Sequence, residues 1–273
     1  MSSKRILLFI PMYNCEKQIT RVLNQLTPEV CNYITEVIIV NNRSTDNGEE
    51  AIENYLESRN TGTKVKLIRN QSNYGLGGSH KVAFQYAIDH DFDYVIVLHG
   101  DDQGNIRDLV PYLKSGEAYK YDSFLGSRFE KKSKLVNYSA FRIFGNHVFN
   151  LFMTAVLRKR ITDLGSGLNM YKVSYLKSKF YLGFINSLTF NVYMLMYGVY
   201  AKSNFKFFPL EWREEDQISN AKFIKQSKEI LKLASAYCFQ AKRLFEVGEN
   251  EYSRMTYAYD VIYENKQIGN EVF

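Results

Sequence analysis

The sequence predicts an α/β fold with a mixed, mainly parallel central sheet flanked by helices. Three observations lead there. Short apolar runs alternate with helical patterns through the first half, as successive βα units require. The predicted strands carry polar residues at their carboxyl ends. A chain of 273 residues that is 45% hydrophobic can bury a full core, and its size suits one large α/β domain with an appendage or two smaller ones.

Taken in order, Ile6 to Ile10 is the first strand and Glu16 to Leu26 its helix. Val37 to Val40 is the second strand, Glu49 to Ser58 a helix, and Val65 to Arg69 the third strand. A helix over Gly78 to Asp89 leads to the strand Tyr94 to Leu98. The polar ends are Tyr13-Asn14, Asn41 to Ser44, Asn70 to Asn73 and His99 to Gln103. Ligands of open α/β sheets sit at such ends, so four converge on one crevice. Further on, Asp122 to Gly126 and Asn169 to Val173 read as strands, Tyr138 to Leu157 as an aromatic-rich helix or helix pair, and Phe205 to Leu210 as the end of the sheet. From Ala221 to Leu244 apolar residues recur at helical spacing, with Lys222, Lys225, Lys228 and Lys232 opposite. A solvated lysine face is the ordinary reading of that pattern and membrane contact the rarer one.

The formal charge of +6 and pI of about 9.0 favour anionic partners: nucleotides, lipid phosphates, an anionic membrane surface or nucleic acid. No recognised RNA or DNA motif accompanies the aromatic residues, so nucleic acid is set aside. Cys15, Cys31 and Cys238 are too few and scattered for a disulfide framework or zinc site, and a reducing cytosol is expected. The N-terminus runs straight into a strand-length apolar stretch, so no export signal is expected. Val136 to Leu157 is interrupted by Arg142, Asn146, His147 and Asn150, which makes it interfacial or buried rather than spanning. Lys131, Lys132 and Lys134 upstream favour contact with the inner face of a membrane.

Within Leu98-His-Gly-Asp-Asp-Gln103, Asp101 has the best claim to a hard divalent cation, because a buried strand fixes its direction. Gln103 can add a carbonyl oxygen. The other reading is an Asp-Asp turn that merely closes a strand. Neighbouring segments decide: Ile10-Pro-Met-Tyr-Asn14, Val40-Asn-Asn-Arg-Ser-Thr-Asp46, Asn73-Tyr-Gly-Leu-Gly77, Gly126-Ser-Arg-Phe129, Asp163-Leu-Gly-Ser-Gly167 through Tyr171, Trp212-Arg213 and Gln217-Ile-Ser-Asn220. In this order and spacing they resemble family 2 glycosyltransferases of the GT-A fold, nearest the dolichyl-phosphate mannosyltransferase-like or polyprenyl-phosphate glycosyltransferase branch.

That resemblance covers roughly the first 220 residues. It implies a nucleotide-binding half over 1–115, an acceptor half over 116–220 with an interfacial region at 136–157, and a C-terminal helical extension over 221–273. It implies that Pro11, Tyr13, Asn14, Asn42, Ser44 and Asn73 border a GDP- or UDP-sugar, joined by Asp101, Asp102 and Gln103. Mg²⁺ or Mn²⁺ would sit on Asp101 and Gln103, with His99 in the position where the family carries an acidic residue. Arg213 would close over the diphosphate and act with Asp101 in catalysis. Arg128, Arg142, Asp163 and Ser166 would face the acceptor. Asn41 and Asn42 stand where aspartates are common, and no acidic residue occurs in Phe190 to Met194, where members that glycosylate hydroxyls have a base. A lipid phosphate is already anionic and needs only positioning. The expectation is therefore inverting transfer to a polyprenyl phosphate. Its runner-up is a sugar hydroxyl on a surface glycan, with Asp163 or Asp102 as base, and the third possibility is a non-catalytic nucleotide-sugar or glycan-binding partner.

Overall fold

Ile6 to Met12, Glu36 to Asn41 and Tyr94 to Leu98 are buried at every position, as the central strands of a covered parallel sheet must be. The computed structural model describes residues 4–216, 223–245 and 250–265. Its strands are β1 (Ile6–Met12), β2 (Glu36–Asn41), β3 (Lys64–Asn70), β4 (Tyr94–Leu98), β5 (Ser123–Ser127), β6 (Lys134–Val136), β7 (Leu168–Lys172), β8 (Phe205–Pro209), β9 (Glu211–Arg213) and β10 (Tyr259–Glu264). The helices are α1 (Glu16–Leu23), α2 (Pro28–Cys31), α3 (Gly48–Ser58), α4 (Gly75–Asp89), α5 (Val110–Lys114), α6 (Ala140–Leu157), α7 (Val173–Leu176), α8 (Phe190–Tyr200), α9 (Phe223–Phe245) and α10 (Glu251–Arg254).

Among the described residues, eight strands form one sheet in the order β10-β3-β2-β1-β4-β7-β5-β8, and β6 and β9 form a small second one. β3, β2, β1 and β4 run parallel, whereas β7 is antiparallel to both β4 and β5. Alternation along β1 divides the core. Leu7 and Phe9 pack with α4 and α8, while Ile6, Leu8 and Ile10 pack with α1, α3 and α5.

The strand expected at Phe205 is indeed an edge strand, but the C-terminal extension is not purely helical. β10 pairs antiparallel with β3, Tyr259 opposite Asn70, and closes the other edge. A single peripheral strand leaves little periodicity to read, and its pairing partner lies some 190 residues away. The helix α8 and the short strands β6 and β9 were likewise not expected. Gln217 to Asn220, Lys222 and part of the 246–273 tail lie outside the described residues.

The tail is anchored on Lys81. This fully buried lysine donates from Nζ to Phe184 O (2.5 Å), Asn186 Oδ1 (2.7 Å) and Tyr257 Oη (3.0 Å). Its neighbour Gly75 has φ +71°, and a Cβ there would sit 2.4 Å from Asn186 O, so only glycine fits the turn into α4.

Burial pushes the Lys81 ammonium down to about 7. The unfolded chain therefore holds the extra proton from about pH 7 up to the ordinary lysine value of about 10.4, and stability contributed by this site rises with pH through that window. Thermal melts of the wild type and Lys81→Met should show their Tm difference moving in favour of the wild type between pH 6.5 and pH 9.

Candidate active site

The site lies where the carboxyl ends of β1, β2 and β4 meet the loop entering β7. Because β7 is antiparallel, Leu168 pairs with Leu98, and the approach to β7 lies beside the exit of β4. His99 N donates to Gly167 O (2.9 Å) and Gly100 N to Pro11 O (3.1 Å), stitching three loops together.

On the donor side, Pro11 is buried under the crevice, and Tyr13 stands 44% exposed at its rim. Asn14 joins two loops: its N–H donates to Ser44 Oγ (3.0 Å), and its Oδ1 accepts from Thr45 N (2.8 Å). Asn42 is buried and committed to the neighbouring turn. Its Nδ2 donates to Asn73 Oδ1 (2.8 Å), and its Oδ1 accepts from Asn70 Nδ2 (2.9 Å) and Tyr74 N (2.8 Å). Asn42 and Asn73 thus bind each other and the turn into α4. The acidic group absent from this stretch of sequence returns from α3. Glu49 accepts from Asn41 Nδ2 (2.5 Å) and pairs with Arg69, whose hydrogen bond holds the Glu49 carboxyl below its usual value. Sequence reading missed Glu49 and Arg69 because only the β2–α3–β3 packing brings them to Asn41.

Asp101 and Asp102 part company. Asp102 adopts φ +59° and turns to α1, where its oxygens accept from Arg21 Nε (2.8 Å) and Gln25 Nε2 (3.0 Å). That pairing takes it out of the donor site and removes it as a base. Asp101 is half-buried, and loss of solvation, with the fields of Asp102 and Glu214, pushes its carboxyl up to about 6. A carboxylate so disfavoured is stabilised by a cation. Among the described residues no three His, Cys, Asp or Glu side chains converge on a metal position. Asp101 and Gln103 carry the oxygen donors that a hard divalent ion would take. His99 is not part of it. Its ring is packed beneath Gly167, where a Cβ would lie 2.8 Å from Cγ, and Nε2 is sealed from solvent. Burial holds the imidazole neutral, down to about 4, and its ring neighbour is the core residue His80 at 6.2 Å.

On the acceptor side, Arg128 and Asp163 form a buried bidentate pair (Nη2–Oδ1 2.7 Å, Nε–Oδ2 2.8 Å). The Arg128 guanidinium lies over Trp212 at 5.3 Å. Asp163, with Arg128 N and Gly165 N also donating to it, is unsuited to act as a base. Arg142, on the first turn of α6, pairs with Glu214. Ser166 is buried and donates to Gly126 O (2.7 Å), which makes it part of the loop's frame and not an acceptor contact. Arg213 departs from expectation. Its N–H donates to Gln103 O (3.0 Å), but its guanidinium turns to Glu211 (3.4 Å), on the opposite face of β9 from Trp212.

On the outward face of α6, Phe141 (71% exposed), Phe144 (69%), Val148 (49%), Leu151 (72%) and Phe152 form one exposed stripe. Phe149 and Val156 pack inward. No helix among the described residues is long and apolar enough to cross a membrane.

A parallel sheet with a ligand crevice over β1 and β4, and an antiparallel strand presenting a second loop to it, is the GT-A class of nucleotide-sugar-dependent transferase folds. Residues 8–180 match the family described as Glycosyl transferase family 2, and the chain belongs to that family. It is 24% identical over 175 residues to undecaprenyl-phosphate mannosyltransferase of Micrococcus luteus, covering 64% of this chain and 69% of that one. It is 27% identical over 186 residues to UDP-N-acetylglucosamine–dolichyl-phosphate N-acetylglucosaminyltransferase of Methanococcus voltae, covering 65% and 73%. In fold it resembles Mycobacterium tuberculosis glucosyl-3-phosphoglycerate synthase in complex with Mn²⁺, UDP-glucose and phosphoglyceric acid, with a TM-score of 0.63, 16% identity, and coverage of 87% and 80%. It also resembles S. aureus TarS in complex with UDP-GlcNAc, with a TM-score of 0.55, 20% identity, and coverage of 85% and 66%.

Removing one partner of a buried ion pair strands the other, at about 3–5 kcal/mol. Asp163→Ala should lose that much in urea unfolding, and an Arg128→Met, Asp163→Leu double variant should recover most of it.

Proposed function

We propose that the protein is an inverting, metal-dependent glycosyltransferase that moves a sugar from a GDP- or UDP-sugar to a polyprenyl phosphate at the cytoplasmic face of a membrane. The observation that carries the acceptor reading is the engagement of the carboxylates around the cleft. Asp102 is held by Arg21, Asp163 by Arg128 and Glu214 by Arg142. Asp101 sits where a cation is called for. A hydroxyl acceptor would need one of them to take its proton, whereas a phosphate acceptor does not. The polyprenyl-phosphate enzymes among the relatives support the same reading.

The chain's own residues divide the work. Tyr13 offers a ring at the rim for the base. The Asn14–Ser44 clasp and the Asn42–Asn73 turn fix the loops that enclose the nucleotide. Asp101 and Gln103 would hold the divalent cation, which supplies charge neutralisation for the departing diphosphate. Arg142, on the first turn of α6, is held by Glu214 and fixes the start of the helix that carries the exposed apolar stripe. Lys131, Lys132 and Lys134 precede the same helix, so apolar insertion and attraction to anionic lipid act on one face.

Purified protein incubated with UDP- or GDP-sugars and polyprenyl phosphate should give a glycolipid that disappears with EDTA and falls by about 10²-fold or more in Asp101→Asn. Product on an oligosaccharide and none on the lipid would overturn the acceptor. Replacing Phe141, Phe144 and Leu151 together by Ser should abolish co-sedimentation with anionic vesicles while leaving nucleotide binding in place.

A further inference from the structure

The segment from Asn250 to Tyr259 lies beyond the family match over 8–180 and packs on the loop that leaves β3. Ala258 O accepts from both sides of that loop, from Gln71 N (3.1 Å) and from Tyr74 Oη (3.1 Å). Tyr257 sets its ring edge-on to Tyr74, with centroids 5.4 Å apart, and Tyr259 pairs with Asn70. The segment is itself held firmly. Asn250 Nδ2 donates to Gly183 O (2.8 Å), and Tyr257 Oη accepts from the buried Lys81 (3.0 Å) beside Tyr252 O (3.0 Å) and Asn186 Oδ1 (3.1 Å). The Lys81 ammonium also lies over the rings of Tyr252 (5.2 Å) and Tyr257 (5.0 Å). A buried charge with no carboxylate partner among the described residues is costly, and its contacts fix where Tyr257 stands.

The β3 loop reaches the nucleotide side of the crevice through a chain of hydrogen bonds. Tyr74 N donates to Asn42 Oδ1 (2.8 Å), Asn42 Nδ2 to Asn73 Oδ1 (2.8 Å), and Asn42 N to Met12 O (2.9 Å), next to Tyr13. The exits of β1, β2 and β3 are thus one network at the carboxyl end of the parallel strands, where such sheets take their ligand. A loop that is already ordered costs a ligand less to bind. We propose that residues 250–259 are a strap that preorganises the β3 loop for the nucleotide, with Tyr257 as its positioning residue. Tyr257 acts through Tyr74 and Ala258 on Asn42 and Asn73, not by contact with the ligand. This rests on the nucleotide-sugar reading above but not on the identity of the acceptor.

The full chain would be titrated calorimetrically with UDP and with GDP in the presence of Mn²⁺. Tyr257→Ala should weaken the nucleotide that the wild type binds about tenfold, because the loop must then be ordered at the moment of binding. Tyr74→Phe loses only the hydroxyl on Ala258 and should weaken it about threefold, within the range of one hydrogen bond. Tyr257→Phe keeps the ring against Tyr74 and should bind more tightly than Tyr257→Ala. Leu113→Ala, which opens the core at α5 and lowers stability away from the strap, should stay within about twofold of the wild type. Coupling is reciprocal, so bound nucleotide should slow hydrogen exchange at residues 252–259 as well as 70–77. Unchanged affinity in both Tyr257→Ala and Tyr74→Phe, an equal loss in Leu113→Ala, or strap amides that ignore bound nucleotide overturns the proposal and leaves the segment a structural closure of the sheet. A wild type that binds neither UDP nor GDP refutes the nucleotide reading together with the strap. Strap-dependent binding without transfer to polyprenyl phosphate refutes the acceptor alone.

Discussion

β7 runs antiparallel between β4 and β5, with Leu168 opposite Leu98, and this register sets the loop Asp163 to Gly167 edge to edge with the loop His99 to Gln103. An all-parallel arrangement would have sent the entrance of β7 to the far side of the sheet. Here the exits of β1, β2, β4 and β5 and the entrance of β7 share one rim, so donor and acceptor walls face each other without a separate domain. A one-residue slip of β7 would turn Asn169 and Leu168 to the wrong faces and separate Gly167 from His99.

Charge is distributed around this rim so that side chains neutralise one another. The pairs Arg21–Asp102, Arg128–Asp163 and Arg142–Glu214 come from different elements and tie them together. Burying such pairs gives little net stability, but it fixes direction, since either partner alone would be a stranded charge. At Asp101 loss of solvation pushes the carboxyl toward its neutral form.

The two edges of the molecule are treated differently. At one, β10 closes the ladder of β3, and Tyr257 next to it engages Lys81, so residues 250–265 are part of the fold. On the α6 side, large aromatic and aliphatic side chains are exposed in a stripe that follows a basic segment, which is unfavourable in water and favourable at a lipid boundary.

The order of βα units, the buried strand before Asp101 and the family were all legible in the residues, because hydrophobic period and local motif spacing are properties of short stretches. The same holds for α6, whose polar interruptions ruled out a span. What each polar side chain does was not legible. Asp101 and Asp102 are adjacent and chemically identical in sequence, yet a left-handed backbone at Asp102 turns one to Arg21 and leaves the other at the crevice. His99 occupies a ligand position in the motif but lies under Gly167, Arg213 faces Glu211, and Glu49 supplies the acid that the Asn41-Asn42 pair lacks. β10 pairs across nearly the whole chain. Sequence alone determined the class of fold and the segments that form the site, whereas the tertiary structure decided which atoms face the crevice, because side-chain direction depends on partners distant in the chain.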